Sequence, residues 1–180
     1  PPEAIEHVLL THLHFDHAGG LTHVDADGDC VRTFPQAEVH VQRSEWQDAL
    51  AGKSTMTGTY LRSHLDPVQA CVQLAEGECT VLPGISVVPV PGHTWGQQAV
   101  LVETVDGTVC FPGDVMPTRH HVGAPYSMGY DMMPYQNMQT KKWLLDRAVD
   151  ESWTLVLDHE PDEPVVTVRR AGDWYELEPV

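Results

Sequence analysis

The chain has 180 residues, a length that fits one domain with a substantial buried core. Its 26 acidic and 10 basic residues give a formal net charge of -16. A surface of this sign repels polyanions, which argues against a nuclease or another nucleic-acid-binding protein. No run is long and apolar enough to predict a transmembrane helix. We therefore expect a small-molecule substrate, no nucleic-acid partner and no membrane partner.

The cysteines do not form a Cys-X-X-Cys pair, and a disulfide framework is not expected. They are Cys30, Cys71, Cys79 and Cys110. Together with the lack of a recognisable signal peptide, this predicts a cytoplasmic location. The sequence starts Pro1-Pro2 without a methionine, so the loss of a leader stays open as an alternative.

Apolar runs typical of strands alternate with helical patterns, which predicts an α/β fold over a single domain, residues 1–180. The predicted strands cover 8–11, 37–42, 85–90, 98–103, 108–111 and 154–158. Asp106-Gly107 predicts one hairpin, and the segment 171–173 predicts a second hairpin between 165–169 and 174–177.

Two helices are predicted between these strands. Ser44 and Gln47 have the spacing of a capping box, which predicts a helix that continues to Leu50. A second helix is predicted over 137–149. Its buried side is expected to carry Trp143, Leu144 and Leu145.

The densest group of metal-ligating side chains follows the first predicted strand, in the sequence His12-Leu13-His14-Phe15-Asp16-His17. Imidazole and carboxylate are ligands that suit zinc, iron or manganese, and the absence of thiolate excludes a cysteine-type structural zinc site. If the loop folds back, His12 and His14 point to one locus, and Asp16 and His17 point to another. The motif therefore predicts a site for two metal ions.

Such a site predicts hydrolysis without a protein nucleophile. Two divalent ions can lower the pKa of a bound water towards about 7 and draw on a substrate oxygen. Asp16 is the carboxylate best placed to accept and return a proton, with a role as a ligand only as the alternative.

The pattern His-X-His-X-Asp-His after a strand resembles the signature of the metallo-β-lactamase superfamily. Three later segments resemble the remaining family motifs in family order: Pro91-Gly92-His93, Phe111-Pro112-Gly113-Asp114 and Leu157-Asp158-His159. The resemblance implies that His12, His14 and His93 hold one metal and that Asp16, His17 and His159 hold the other. It also implies that Asp114 bridges them, so Asp16 and Asp114 are the candidate catalytic carboxylates. The expected cofactors are two divalent ions, zinc first, with iron and manganese as alternatives.

The resemblance further implies an αββα sandwich, with two sheets face to face and helices outside. Family members carry several strands before the first motif, whereas this chain has only residues 1–10 there. We therefore expect an N-terminally incomplete sandwich whose first strand forms an exposed edge. A homodimer is one arrangement that would cover such an edge.

An aspartate at the bridging position resembles lactonases and related hydrolases more than the zinc β-lactamases. The segments 34–46, 113–118 and 130–134 also resemble a group that includes quorum-quenching N-acyl-homoserine-lactone lactonases. Well-studied lactonases carry a tyrosine three residues after the bridging aspartate, where this chain has Pro117. Three tyrosines further along are candidate substitutes, each with a packing role as the alternative: Tyr126, Tyr130 and Tyr135.

The sequence therefore predicts a dinuclear metallo-hydrolase that directs a metal-bound hydroxide at a small ester, lactone or related substrate. Two alternatives stay open, namely a mononuclear-iron redox member of the superfamily and an inactive metal-binding domain. Four histidines outside the motifs are expected to be structural or exposed: His7, His23, His40 and His64.

Overall fold

A computed structural model describes residues 1–56 and 58–180 of the chain. Its strands are β1 (His7–Leu9), β2 (Thr22–Val24), β3 (Cys30–Arg32), β4 (Glu38–Gln42), β5 (Val72–Ala75), β6 (Cys79–Leu82), β7 (Ile85–Pro89), β8 (Gln98–Thr104), β9 (Gly107–Phe111), β10 (Thr154–Val156), β11 (Val165–Ala171) and β12 (Trp174–Pro179). Its α-helices are α1 (Phe15–Ala18), α2 (Arg43–Leu50), α3 (Arg62–Leu65) and α4 (Pro134–Asp150). Short 3-10 helices cover Pro2–Ala4, Gly19–Leu21, Asp66–Cys71, Gly113–Val115 and Arg119–His121.

Two sheets form the centre of the fold. A parallel sheet has the order β1-β4-β5, and a seven-stranded sheet has the order β12-β11-β10-β9-β8-β7-β6. Only β9 and β10 of the larger sheet pair in parallel, and α4 provides the crossover that such a pair requires. The remaining strands, β2 and β3, form a separate hairpin.

Each sheet buries its own apolar cluster against a helix. Trp46 and Ala49 of α2 belong to the cluster of the smaller sheet, and Leu144 and Leu145 of α4 belong to that of the larger sheet. Gln98 joins the two sheets, because its backbone donates to Thr11 O and its side chain to Leu10 O. The result is the expected αββα arrangement, with helices outside two sheets.

The predicted strands and both hairpins agree with the structure to within two residues, but three details of the helices were wrong. The second predicted helix starts at Pro134, three residues before the predicted start. The helix predicted from Ser44 starts at Arg43, and Gln42 is its N-cap without a side-chain hydrogen bond. The capping box therefore does not form. Trp143 is 40% exposed, although Leu144 and Leu145 are buried as expected. The pattern was misread because an indole on the border of an amphipathic helix can cover the apolar face and still contact solvent.

Strands β2, β3, β5 and β6 were missed because each has only three or four residues and, unlike the equally short β1 and β10, no run of three Val or Leu residues. β1 lies at the edge of its sheet, with β4 as its neighbour. All four cysteines are free, as predicted. Among the described residues, no helix combines the length and hydrophobicity needed to cross a bilayer.

Candidate metal centre

The four sequence motifs meet at one edge of the sandwich. β7, β9 and β10 run in the same direction, so the segments that follow them reach the same end of the large sheet. These segments carry His93, Asp114 and His159. The segment after β1 reaches this end as well, because Gln98 N donates to Thr11 O at 2.9 Å.

A short helix turns the first motif back on itself. His14 is the N-cap of α1, and its carbonyl oxygen accepts from the backbone N–H groups of His17 and Ala18. His12 and His14 therefore lie before the helix, whereas Asp16 and His17 lie on it. This geometry separates the motif into the two loci expected from its spacing.

Three buried histidines form the first group of potential ligands. One ring nitrogen from each of His12, His14 and His93 lies within 4.8 Å of the others. The closest approach is 2.9 Å, between His93 Nε2 and His14 Nδ1. Gly92 allows this loop to approach α4, since it has a φ of +153° and a Cβ there would lie 2.4 Å from Asn137 Cα.

A second group lies beside the first and is more exposed. His17 Nε2 is 3.2 Å from His159 Nε2. Asp16 Oδ2 lies 3.5 Å from the ring of His17 and 3.6 Å from that of His159. Asp158 Oδ2 approaches the other nitrogen of His17, Nδ1, at 3.7 Å.

Asp114 lies between the two groups and is 3% exposed. Its Oδ2 is 3.3 Å from His93 Nε2, and its Oδ1 is 3.4 Å from His17 Nε2 and 3.3 Å from His159 Nε2. Each carboxylate oxygen therefore faces a different histidine group. The structure thus brings together all seven residues singled out from the sequence.

Protonation in the three-histidine group is disfavoured. Burial, followed by the charge of His17, lowers the pKa of His12 well below its ordinary value. Burial and the neighbouring His93 lower the pKa of His14 to about 3. Both rings are therefore neutral at pH 7, the form in which imidazole binds a metal.

In the second group, which contains His17 and His159, protonation of His17 is favoured. Burial alone would lower the pKa of His17, but the hydrogen bond and the charge of Asp114 outweigh it and raise the pKa. Burial opposes the ionisation of Asp114, yet its pKa is lowered by the hydrogen bond from His17 and the charge of His93. Burial and the charge of Asp114 raise the pKa of Asp158.

Other side chains orient the histidines from behind. Asp131 Oδ1 lies 2.9 Å from His93 Nδ1, and Thr11 Oγ1 lies 3.1 Å from His12 Nδ1. Such contacts fix the ring orientation and leave the opposite nitrogen to face the centre. Sequence reasoning gave no role to Asp131 or Asp158, although Asp158 directly precedes a predicted ligand.

Glu45 holds two of the motif loops together. Its buried carboxylate accepts from Leu13 N at 3.0 Å, from Tyr60 Oη at 3.2 Å and from Thr94 Oγ1 at 2.7 Å. Leu13 lies between two predicted ligands, and Thr94 follows a third. The sequence gave no signal for this role, because a charge in the first turn of a helix is usually solvated.

A cavity of about 280 Å³ opens beside the histidines. The residues around it are His14, Phe15, Asp16, Met56, Thr59, Asp114, Tyr130 and Met132. Tyr130 therefore lines this cavity, whereas Tyr126 and Tyr135 do not and are 57% and 71% exposed. Pro117, at the position of the lactonase tyrosine, instead accepts a hydrogen bond from His159 N through its carbonyl.

The residues present fit a pair of divalent cations. His12 Nε2, the ring nitrogen opposite the contact with Thr11, is buried and has no hydrogen-bond partner among residues 1–56 and 58–180. Leaving such atoms unpaired is costly unless another group binds them. Imidazole nitrogens and carboxylate oxygens at these spacings suit zinc and similar borderline cations.

Comparison with known proteins shows the family to which the chain is related. Residues 1–159 match the metallo-beta-lactamase superfamily. An N-acyl homoserine lactonase from a Bacillus species is 34% identical over 103 residues, covering 57% of this chain and 35% of that protein. One from Bacillus thuringiensis is 31% identical over 121 residues, covering 67% of this chain and 42% of that protein. The chain thus spans well under half the length of these two relatives.

Two solved structures extend the likeness to the fold. A probable metal-dependent hydrolase from Staphylococcus aureus has a TM-score of 0.85 and 27% identity, over 98% of this chain and 64% of that one. An N-acyl homoserine lactone hydrolase, solved with the product N-hexanoyl-L-homoserine at its catalytic metal centre, has a TM-score of 0.69 and 25% identity. That match covers 88% of this chain and 57% of the other.

Proposed function

We propose that this chain, which belongs to the metallo-β-lactamase superfamily, carries the active centre of a dinuclear metal-dependent hydrolase for a small lactone or ester. The observation that carries this proposal is the position of Asp114, with one carboxylate oxygen towards each histidine group. Zinc is the first expectation for both ions, with iron and manganese as alternatives.

His12, His14 and His93 would hold one ion, and Asp16, His17 and His159 would hold the other. Asp114 would bridge them and offset part of their charge. When bound, such ions supply Lewis-acid chemistry that lowers the pKa of water towards about 7 and polarises a substrate carbonyl. No protein nucleophile is then required.

Two side chains at the cavity are assigned to proton transfer and substrate orientation. Asp16 is 40% exposed, so its carboxylate can accept a proton from the attacking water and return it to the leaving oxygen. Burial, followed by the charge of Asp114, raises the pKa of Tyr130. Its hydroxyl group therefore keeps its proton at neutral pH and can donate a hydrogen bond to a substrate oxygen.

The cavity wall favours a substrate with an apolar portion. Phe15, Met56 and Met132 line it, and flexible thioethers adapt to apolar groups of varied shape. The net charge of -16 favours neutral or cationic substrates over polyanions. An N-acyl homoserine lactone combines a neutral ring with an acyl chain, and both relatives quoted above are named for such substrates.

Metal analysis of the purified chain, coupled to a panel of lactones, aryl esters, thioesters and phosphotriesters, tests this proposal. We expect two metal ions per chain and turnover that is highest for lactones. One iron per chain with oxygen uptake would establish the redox alternative. Metal without turnover of any substrate would indicate a binding domain.

A further inference from the structure

A separate group of metal-ligating side chains, outside the candidate metal centre, lies at the start of β1 and away from the motif that follows this strand. His7 of β1 pairs with Glu38 of β4, and His40 lies two residues further along β4. Alternate residues of a strand project from the same face. The parallel pairing therefore brings two imidazoles and one carboxylate to a single face of the small sheet.

The three side chains converge on one point. His7 Nδ1 lies 3.1 Å from His40 Nε2, and Glu38 Oε2 lies 3.7 Å from the first nitrogen and 3.9 Å from the second. Gln73 Nε2 donates to the other carboxylate oxygen, Oε1, at 3.0 Å. This contact holds Glu38 so that its Oε2 is directed at the two rings.

The geometry repeats that of the metal centre. There, ring nitrogens of different histidines approach to 2.9 Å and 3.2 Å, with oxygens of Asp114 3.3 Å and 3.4 Å away. A direct contact between two neutral rings satisfies both nitrogens only if one of them carries the proton. A cation instead accepts both lone pairs, and the carboxylate then offsets part of its charge.

The surroundings also favour a cation. Glu3, Glu6 and Glu38 line the concavity beside His7, and a local excess of carboxylates attracts divalent ions. Only 9% of the His40 side chain is exposed, so its ring is largely shielded from solvent. Burial, followed by the charge of His7, lowers the pKa of His40, so its ring is neutral at pH 7.

We propose that His7, Glu38 and His40 form a third metal site, which binds one zinc ion or a similar borderline divalent cation and ties β1 to β4. Two imidazoles and one carboxylate leave further coordination positions for water. The site is independent of the hydrolytic centre and uses none of its ligands. Its role is to stabilise the edge strand that leads to the first metal motif.

Zinc titration of the metal-free chain, followed by equilibrium dialysis and metal analysis, tests this site. We expect a third equivalent that His7→Gln and Glu38→Gln each weaken by about 100-fold, because even outer-shell partners of metal ligands are worth about 10–100-fold in affinity. His23→Gln is the matched control, since this histidine is exposed on β2 outside the group, and it should retain the third equivalent. Lactone hydrolysis should be unchanged in all three variants.

Nitrogen-15 spectra of the histidine rings identify the atoms involved. Added zinc should shift both His7 Nδ1 and His40 Nε2 in the parent chain. It should leave His40 Nε2 unshifted in His7→Gln. Zinc binding by His7→Gln and Glu38→Gln that equals that of the parent, in both number of equivalents and affinity, would overturn the proposal. The pair would then be a hydrogen bond between two imidazoles.

Discussion

Asp131 Oδ1 lies 2.9 Å from His93 Nδ1, and both side chains are completely buried. Asp131 Oδ2 accepts from Met128 N and Asn137 Nδ2, each at 3.0 Å, so the carboxylate cannot turn away. It therefore fixes the ring of His93 with Nε2 towards His14 and Asp114. An aspartate that does not itself reach the centre thus controls the orientation of one of the proposed ligands.

Asp131→Asn should weaken metal binding by the three-histidine group by about 10–100-fold, because the orienting carboxylate loses its charge and one acceptor. Competition with a chelator measures this affinity. Asp106→Asn, at an exposed carboxylate in the turn between β8 and β9, is the control and should bind metal like the parent. Equal affinities for Asp131→Asn and the control would assign Asp131 to loop structure alone.

Asp114→Asn keeps the size of the side chain but removes the charge that faces both groups. We expect the metal count to drop from two towards one, since the three neutral histidines can still hold one ion. Metal analysis after dialysis gives the count. If two ions per chain remain, Asp114 is not a bridging ligand.

His14→Ala should remove metal and activity together, because it deletes a ligand from the buried group. His64→Ala should do neither, because this ring lies outside all the groups described here. Metal content and lactone turnover of the two variants make the comparison. Full metal occupancy in His14→Ala would contradict the assigned ligand set.

Glu45 gives a prediction on stability and pH. Burial raises the pKa of its carboxyl group above the ordinary 4.5, despite hydrogen bonds that oppose the shift. The folded chain therefore holds this proton more tightly than the unfolded chain. The stability that the proton confers is fully present below pH 4.5 and is lost as the pH rises through the folded pKa.

Glu45→Gln removes this titration. The unfolding free energy of the metal-free parent minus that of Glu45→Gln should therefore decrease as the pH rises above 4.5. Urea denaturation of both proteins between about pH 4 and 7 measures it. A difference that increases with pH would mean that the ionised carboxylate is the form that stabilises the fold.

Tyr130→Phe should lower kcat for lactones by about 100-fold with a small change in KM, the scale expected for loss of a hydrogen-bond donor that acts in the transition state. Tyr135→Phe is the control, since Tyr135 is 71% exposed and lies outside the cavity. Steady-state kinetics on the two variants make the test. Equal kcat values would leave Tyr130 a role only in shaping the cavity.

The sequence by itself determined the types and the order of the candidate ligands. His12, His14, Asp16 and His17 lie within six consecutive positions after a strand, and such local spacing can be read without a structure. The same holds for the main strands and both hairpins, because alternation and turn residues are local signals. The cytoplasmic location and the homodimer stay predictions.

Only the tertiary structure decided which distant side chains support the centre. Asp131 contacts His93, from which it is separated by 38 positions in the sequence, and Glu45 contacts Thr94 over a separation of 49. His7 contacts His40 over a sequence separation of 33 positions, because β1 and β4 pair in parallel. Such contacts depend on strand order and register, which bring together residues that no local pattern connects. The sequence therefore predicted the candidate metal ligands, whereas chain topology decided what orients them and placed His7 and His40 together.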